Sequence, residues 1–257
     1  PAGSNSAAHP RVVVGSAANV ASDASVTVLQ GGVVQFDTFD AAALARINPA
    51  STGVLALSSS SIPATLDLSN HPYLRLGQTA PGVTAGTVTL AADLLLGDNR
   101  VYRFGGADAD GQTTLTADTL RVASLLTDVS PGGTARSVHI GDPGSLGSNA
   151  GIVRITNNAN SYSGGTVVDA ASSLGVSVLA FDYEPAPGQT PLGTGPLTVR
   201  GTLLFNGLSG AWGALPNALS FEPGSRLILD NTNETLSPGG AVTRQNAGYD
   251  RRPDPKP

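Results

Sequence analysis

The sequence contains no cysteine and no methionine, and its only lysine is Lys256. Without cysteine the chain can form no disulfide scaffold, no thiolate zinc site and no cysteine nucleophile. A lone lysine near the end of the chain also excludes the phosphate-binding loop that ends in Lys-Ser or Lys-Thr. Because the sequence begins at Pro1 rather than at a methionine, we expect it to be part of a larger exported protein whose export signal is not in this chain.

Long apolar runs and basic clusters are also missing. No stretch approaches 18 uninterrupted apolar residues, which excludes a transmembrane helix. The net charge is −5, and the 14 basic residues do not gather into a run. This charge pattern gives no footprint for nucleic acid, so we expect no nucleic-acid partner.

What the sequence has in abundance is turn formers, with 32 Gly and 18 Pro among 257 residues. Glutamate and lysine, which favour helices, are scarce, whereas aspartate, serine and asparagine are common. Only residues 40–46 resemble a helical turn, with Asp40 as N-cap and Asn48-Pro49 as the stop. The composition therefore predicts a protein with few or no helices.

Short segments that alternate apolar and polar side chains recur along the chain, separated by Gly, Pro, Asn or Asp. Such alternation is typical of strands with one buried face and one face in water. Uniformly short strands with mainly aliphatic members favour an elongated parallel β-helix (a solenoid) over a sandwich or barrel. The predicted strands cover residues 25–29, 33–36, 54–57, 64–68, 73–76, 87–90, 101–104, 114–116, 137–140, 152–155, 197–199, 202–205 and 226–229.

The ends of the chain differ from its middle. Residues 1–10 are rich in Ala, Ser and Gly, and we expect a flexible N-terminal segment there. Residues 11–245 are predicted to form a single β-helical domain with a repeat-like core at 151–230. Residues 246–257 contain three prolines and no alternation, so we expect a tail, a linker or a capping segment.

The most specific stretch runs from Asn160 through Tyr162, Gly164 and Gly165 to Thr166. It resembles the N-x-Y-[ST]-G-G-T motif of bacterial autotransporter passenger domains, the passenger-associated transport repeat. In that family an L-G-x-G-x-[LV]-x-[LV] element follows one coil later. The matching positions here are Leu192, Gly193 and Gly195, followed by Leu197 and Val199. The resemblance covers about a third of the chain and implies a β-helical fold and export to the cell surface.

Each residue of this motif also has a structural interpretation of its own. The Gly164-Gly165 pair permits a tight turn between coils, since glycine tolerates positive φ. The Asn160 amide can bond backbone groups that a corner leaves free. Tyr162 is expected to pack its ring across the coil edge with its hydroxyl in water, and Thr166 to start the next strand.

We therefore expect a non-enzymatic extracellular protein, a structural or adhesive module at the bacterial cell surface, with a host protein or a glycan as a possible ligand. Two alternatives remain open. One is a self-assembling subunit of a filament, sheath or surface layer, joined through open sheet edges. The other is a carbohydrate-active β-helix enzyme, a lyase or hydrolase, which would need carboxylates converging on one groove.

Other candidate residues carry weaker signals, and we expect no cofactor and no catalytic or metal site. His9, His71 and His139 have no metal-ligand spacing and are expected at the surface or in turns. Asp108 and Asp110 resemble the opening of a calcium loop without its closing glutamate, so weak Ca²⁺ binding stays possible. Trp212 is expected to plug a coil end or to pack under a loop; the alternative is an exposed anchor for a partner or a glycan. The run Leu94–Leu96 is expected to be a fully buried strand.

Overall fold

The computed structural model describes eleven ranges of the chain. They are residues 11–58, 62–78, 87–105, 119–128, 133–141, 152–169, 178–181, 189–205, 217–229, 242–244 and 248–251. Within them almost all regular structure is β-strand, and every strand pair is parallel. The fold class is therefore all-β with parallel sheets.

Ten strands form the larger sheet, in the order β1-β2-β3-β5-β8-β10-β12-β14-β16-β18. Their bounds are Arg11–Val14 (β1), Val33–Phe36 (β2), Val54–Leu57 (β3), Arg75–Gln78 (β5), Val101–Phe104 (β8), Ser137–Ile140 (β10), Thr166–Val168 (β12), Leu197–Val199 (β14), Leu219–Phe221 (β16) and Val242–Arg244 (β18).

A second sheet has seven strands in the order β19-β17-β15-β13-β11-β9-β6, and a third consists of β4 and β7. The seven strands are Thr87–Leu90 (β6), Thr119–Val122 (β9), Ile152–Ile155 (β11), Val178–Phe181 (β13), Thr202–Phe205 (β15), Arg226–Leu229 (β17) and Gly248–Arg251 (β19). The remaining pair is Thr65–Asp67 (β4) and Asp93–Leu95 (β7). From β8 onward, successive strands alternate between the two large sheets.

Register places side chains of the same kind in rows across the strands. One inward row of the ten-stranded sheet is entirely aliphatic or aromatic and almost completely buried, except at its first member, Val12, which is 56% exposed. The row runs Val12, Val34, Leu55, Leu76, Phe104, Ile140, Val168, Val199 and Phe221. The same apolar cluster contains Leu90, Val122, Val153 and Leu203 of the seven-stranded sheet. One core therefore serves both large sheets.

The predicted helical turn is confirmed as α1, Ala41–Ala45. The Asp40 carboxylate accepts a hydrogen bond from the Ala43 N–H at 2.7 Å, which is how an N-cap supplies a free helical donor. A 3₁₀ turn at Ala17–Asn19 was not predicted. Among the described residues no helix is long and apolar enough to cross a membrane.

Most predicted strands are confirmed, but residues 25–29 are not a strand. Val26 makes only an isolated bridge with Ile47, and the Val28 N–H donates to the Ser51 hydroxyl at 3.0 Å. A side chain thus takes the donor that a ladder would have used. The predicted strand at 114–116 lies outside the described residues.

The expectation of one buried and one wet face is correct for β6, β8 and β10 but wrong for β2, β3 and β5, which are buried on both faces. Strands β2 and β3 are almost continuously apolar, whereas in β5 the buried Arg75 donates hydrogen bonds to the Gly141 and Thr52 carbonyls. The outward residues Val33, Val54 and Ala56 of β2 and β3 form a separate small cluster. Conversely, the run at 94–96 is not fully buried, because Leu95 is 49% exposed.

Part of the expected C-terminal tail is also regular structure. Residues 248–251 form β19, which pairs with β17 at the end of the seven-stranded sheet. All three prolines that made this region look like a linker lie after β19 in the sequence, at residues 253, 255 and 257. Residues 1–10 lie outside the described part of the chain.

Candidate functional site

The motif residues form a corner that leads into β12. Asn160 is completely buried. Its Oδ1 accepts a hydrogen bond from the Leu126 N–H at 2.8 Å, and its Nδ2 donates to the Pro191 carbonyl at 2.7 Å. Asn160 therefore ties together one segment that precedes the corner in the chain and one that follows it.

Tyr162 lies under this corner with its ring and its hydroxyl both buried. The hydroxyl oxygen is 2.6 Å from Oγ1 of Thr166, and burial raises the pKa of the phenol above its ordinary value. The expectation of a wet hydroxyl is thus wrong. The reason is that Thr166 occupies an inward row between Val138 and Leu197, where its own hydroxyl would otherwise have no polar partner.

Glycine is required where the two halves of the motif touch. Gly165 has φ of +88°, which other residues rarely adopt. A Cβ on Gly195 would lie 2.3 Å from the Ser163 carbonyl oxygen and 2.4 Å from the Gly165 nitrogen. At Gly164, a Cβ would lie 2.6 Å from the Arg136 carbonyl oxygen. The backbones of successive corners are therefore in direct contact.

The second half of the motif is bonded to the first along its length. The Thr194 N–H donates to the Tyr162 carbonyl at 2.9 Å, and the Thr166 N–H donates to the Pro196 carbonyl at 2.8 Å. Leu192 is fully buried in the core, and Gly193 has φ of +64°. On the far side, Asn217 donates from Nδ2 to the Gly195 carbonyl at 2.6 Å. These hydrogen bonds hold successive segments of the chain together.

A different set of residues faces outward on the ten-stranded sheet. Register places Arg103 of β8 directly beside His139 of β10, and Arg75 of β5 stands next to Arg103 in the same row. Neighbouring strands are about 4.8 Å apart, so these side chains share one surface. We call Arg75, Arg103, His139, Asp169 and Arg200 the outer-face patch.

The arginines of this patch differ in how many hydrogen bonds their guanidinium groups already make. Arg75 is 8% exposed, and it donates from Nε to the Gly141 carbonyl at 2.9 Å and from Nη1 to the Thr52 carbonyl at 3.1 Å. Half-buried Arg103 donates from Nε to the Pro72 carbonyl at 3.0 Å, with its guanidinium 5.8 Å from the centre of the Tyr73 ring. The Nη nitrogens of Arg103 have no hydrogen-bond partner among the described residues.

His139 has no hydrogen-bond partner either, within the part of the chain that the structure describes. Burial lowers its pKa to about 4, and the positive charges of Arg103, Arg75 and Arg200 contribute in the same direction. The imidazole is therefore neutral at pH 7, with one nitrogen that can donate and one that can accept. Next to the arginines it sits in a positive field.

Asp169 and Glu222 place negative charge at the edge of the patch. Arg200 lies between them, with Nε 3.0 Å from the Glu222 carboxylate and Nη1 3.5 Å from that of Asp169. Burial raises the pKa of Asp169, although Arg75, Arg200 and Arg103 oppose this effect. The patch as a whole keeps more positive than negative groups, in a protein whose net charge is −5.

A shallow groove of about 510 Å³ lies beside this patch, lined by Ser69, Asn70, Pro72, Gly97, Asp98 and Asn99. The Pro72 carbonyl connects groove and patch, because it accepts hydrogen bonds from Arg103 Nε and from Asn99 Nδ2, each at 3.0 Å. Tyr73, the next residue, is 55% exposed. We call this groove, together with Tyr73, the corner groove.

The remaining sequence candidates separate into two groups. His71 is buried rather than at the surface, since the turn that carries it packs inward, and burial lowers its pKa. His9, Asp108, Asp110 and Trp212 lie outside the described residues. Within the described ranges no three potential ligands of the His, Asp or Glu type come together to hold a metal ion.

No protein-family model matches this sequence, and neither the curated proteins nor the solved structures include a significant match. The function is therefore inferred from the corner, the patch and the groove. The patch and the groove were not apparent from the sequence. The polar positions of predicted strands 101–104 and 137–140 were a signal, but only the strand register shows that they are neighbours.

Proposed function

We propose that this chain is a non-enzymatic, parallel β-helical module of an extracellular or bacterial cell-surface protein of the autotransporter passenger type, with a structural and adhesive role. Three features support a solenoid: the parallel strands, their alternation between two sheets from β8 onward and the single core that both sheets share. A stacked fold of this kind presents long, repetitive outer faces suited to binding.

The observation that carries the proposal is the motif corner. Asn160 bonds to Leu126 on one side and to Pro191 on the other, and Asn217 repeats the same kind of bond one level further on. These bonds connect one coil to the next. They support a motif whose role is to stack coils.

The surface location can be tested on cells that naturally make the protein. Antibodies against the purified chain should stain intact cells, and protease added outside should remove the signal without lysing the cells. Staining that requires permeabilisation would overturn the proposed location. The enzyme alternative is tested by incubating the chain with a panel of acidic and neutral polysaccharides, because release of shorter products would overturn the non-enzymatic assignment.

A second candidate, a self-assembling subunit, is favoured by the exposure of β1. Val12 is 56% and Val13 49% exposed, and Val12 ends the inward apolar row. In a parallel sheet the two edges are complementary, so a second copy could extend the ladder head to tail and generate a filament. Light scattering that rises with concentration, and falls to the monomer value in Val12→Lys but not in Leu29→Lys, would support assembly. Leu29 is a matched control because it is also exposed.

A further inference from the structure

The corner groove and the outer-face patch meet at Pro72 and Tyr73, and the groups they leave unpaired differ in chemistry. On the groove side, the Asn70 amide and the Asp98 carboxylate are exposed and have no hydrogen-bond partner among the described residues. On the patch side, the Arg103 Nη nitrogens and the His139 ring nitrogens also have no hydrogen-bond partner among the described residues, and both side chains are partly buried. The exposed ring of Tyr73 lies between the two sides.

We propose that this surface binds an acidic saccharide, with one sugar ring in the corner groove against Tyr73 and the carboxylate of a neighbouring sugar on Arg103 and His139. The proposal rests on the adhesive function above and names its ligand class.

The groove suits a sugar ring in size and in chemistry. Its volume of about 510 Å³ lies within the usual range for small-molecule sites. Planar amide and carboxylate groups such as those of Asn70 and Asp98 can each bond hydroxyl groups of one sugar. Tyr73 offers an apolar ring face for the C–H groups of a pyranose and a polar hydroxyl at its edge.

The patch suits a carboxylate. The Nη nitrogens of Arg103 have no hydrogen-bond partner among the described residues, so its guanidinium can hold both oxygens of a carboxylate through charge-assisted hydrogen bonds. Neutral His139, one strand away in the same row, adds a donor without the desolvation cost of a further cation. Arg75 and Arg200 already bond carbonyl or carboxylate oxygens, so they attract the ligand carboxylate through their positive charge rather than by direct contact.

An acidic peptide fits this surface less well. Peptides bind sheets chiefly through backbone hydrogen bonds at an open edge, whereas Arg103 and His139 lie on the face of interior strands β8 and β10. Asn70 and Asp98 can also bond the several hydroxyl groups that a sugar ring presents and most peptide side chains lack. Both points favour a saccharide over a peptide.

The test uses calorimetry on the full chain with three probes of equal length: oligogalacturonate, the neutral oligogalactoside and oligoglutamate. We expect oligogalacturonate to bind most tightly. Arg103→Gln should weaken it about tenfold, the equivalent of one charge-assisted hydrogen bond. Tyr73→Ala and Asn70→Ala should each weaken it severalfold. Arg121→Gln is the matched control, because Arg121 is an exposed arginine on β9 of the other large sheet, and it should change affinity less than twofold.

The other outcomes overturn the proposal. Binding of no probe at about 10 mM removes the site, equal binding of the neutral sugar removes the carboxylate contact, and equal binding of oligoglutamate removes the saccharide specificity. Tyr73 and Asn70 make no hydrogen bonds among the described residues, so their variants should fold even if Arg103→Gln does not. A surface-stained protein that binds none of the probes refutes only this inference, whereas a sugar-binding protein that is absent from the surface refutes the proposed location.

Discussion

The sharpest test of the motif corner is removal of the Asn160 side chain. Asn160→Ala leaves the Leu126 N–H and the Pro191 carbonyl buried without partners. Each buried group left unsatisfied costs about 1–3 kcal/mol, so the two together should lower the free energy of unfolding by about 2–6 kcal/mol. That is a large share of the usual 5–15 kcal/mol of a folded domain. Urea denaturation followed by circular dichroism measures the change.

Asn157 provides the matched control. Its amide donates to the Ala123 carbonyl at 3.1 Å and accepts from the Ala159 N–H at 3.0 Å, but the side chain is half-exposed. Water can replace both partners, so Asn157→Ala should cost about 1 kcal/mol or less. Equal costs for the two variants would refute the view that Asn160 is a buried tie between coils.

The aspartate variant sharpens the same argument. In Asn160→Asp the amide nitrogen that donated to the Pro191 carbonyl is replaced by an oxygen. In the charged form of the aspartate this oxygen is buried, and the Pro191 carbonyl oxygen repels it. A protonated carboxyl could donate there again, so this variant should regain stability relative to wild type as the pH falls from 7 to 5. A pH-independent difference between the two proteins would contradict the assigned geometry.

Three further outcomes are expected. Gly195→Ala should fail to fold or lose more than about 3 kcal/mol of stability, because its Cβ would collide with backbone atoms. Gly224→Ala has open space around its Cβ and should lose only about 1–2 kcal/mol of stability, because of its positive φ. Soluble yield and melting temperature distinguish the two variants. Tyr162→Phe should cost about 1–3 kcal/mol by stranding the Thr166 hydroxyl, and adding Thr166→Val should recover part of that loss in a double-mutant cycle. The pKa of His139 is about 4 in the folded protein, below the ordinary value of 6.5, so the unfolded chain takes up the proton first as the pH drops. Native stability should therefore fall between about pH 6.5 and pH 4, by about 1–2 kcal/mol once the partial exposure of the side chain is allowed for. Urea titrations of His139→Gln should lack this loss of stability.

The sequence was sufficient for the local features of this fold. Alternation located β6 and β10 because each has one face in the core and one outside it, and Asp40 marked the start of α1 because an N-cap is a local interaction. Strands β2 and β3 were also located, but the burial of their outer faces was not predicted, because it depends on residues from other parts of the chain.

Sheet membership and the candidate site depend on distant residues. Arg103 and His139 are neighbours only because β8 and β10 pair in one register across a long connection. Asn160 was recognisable as a corner residue, but its partners Leu126 and Pro191 are set by how distant segments of the chain pack together. The buried hydroxyl of Tyr162 was missed for the same reason, because its partner Thr166 is polar in sequence yet inward in the sheet.

Spin-label distances along one outward row test the stacked, parallel order most directly. The row contains Arg11 of β1, His139 of β10 and Ser220 of β16, and the chain has no native cysteine to interfere with labelling. Strand spacing of about 4.8 Å predicts about 24 Å between the positions of Arg11 and His139, and about 38 Å between those of Arg11 and Ser220. Distances that grow with the number of intervening strands in this way would support the account. Equal distances for the two pairs, or a shorter one to Ser220, would contradict it.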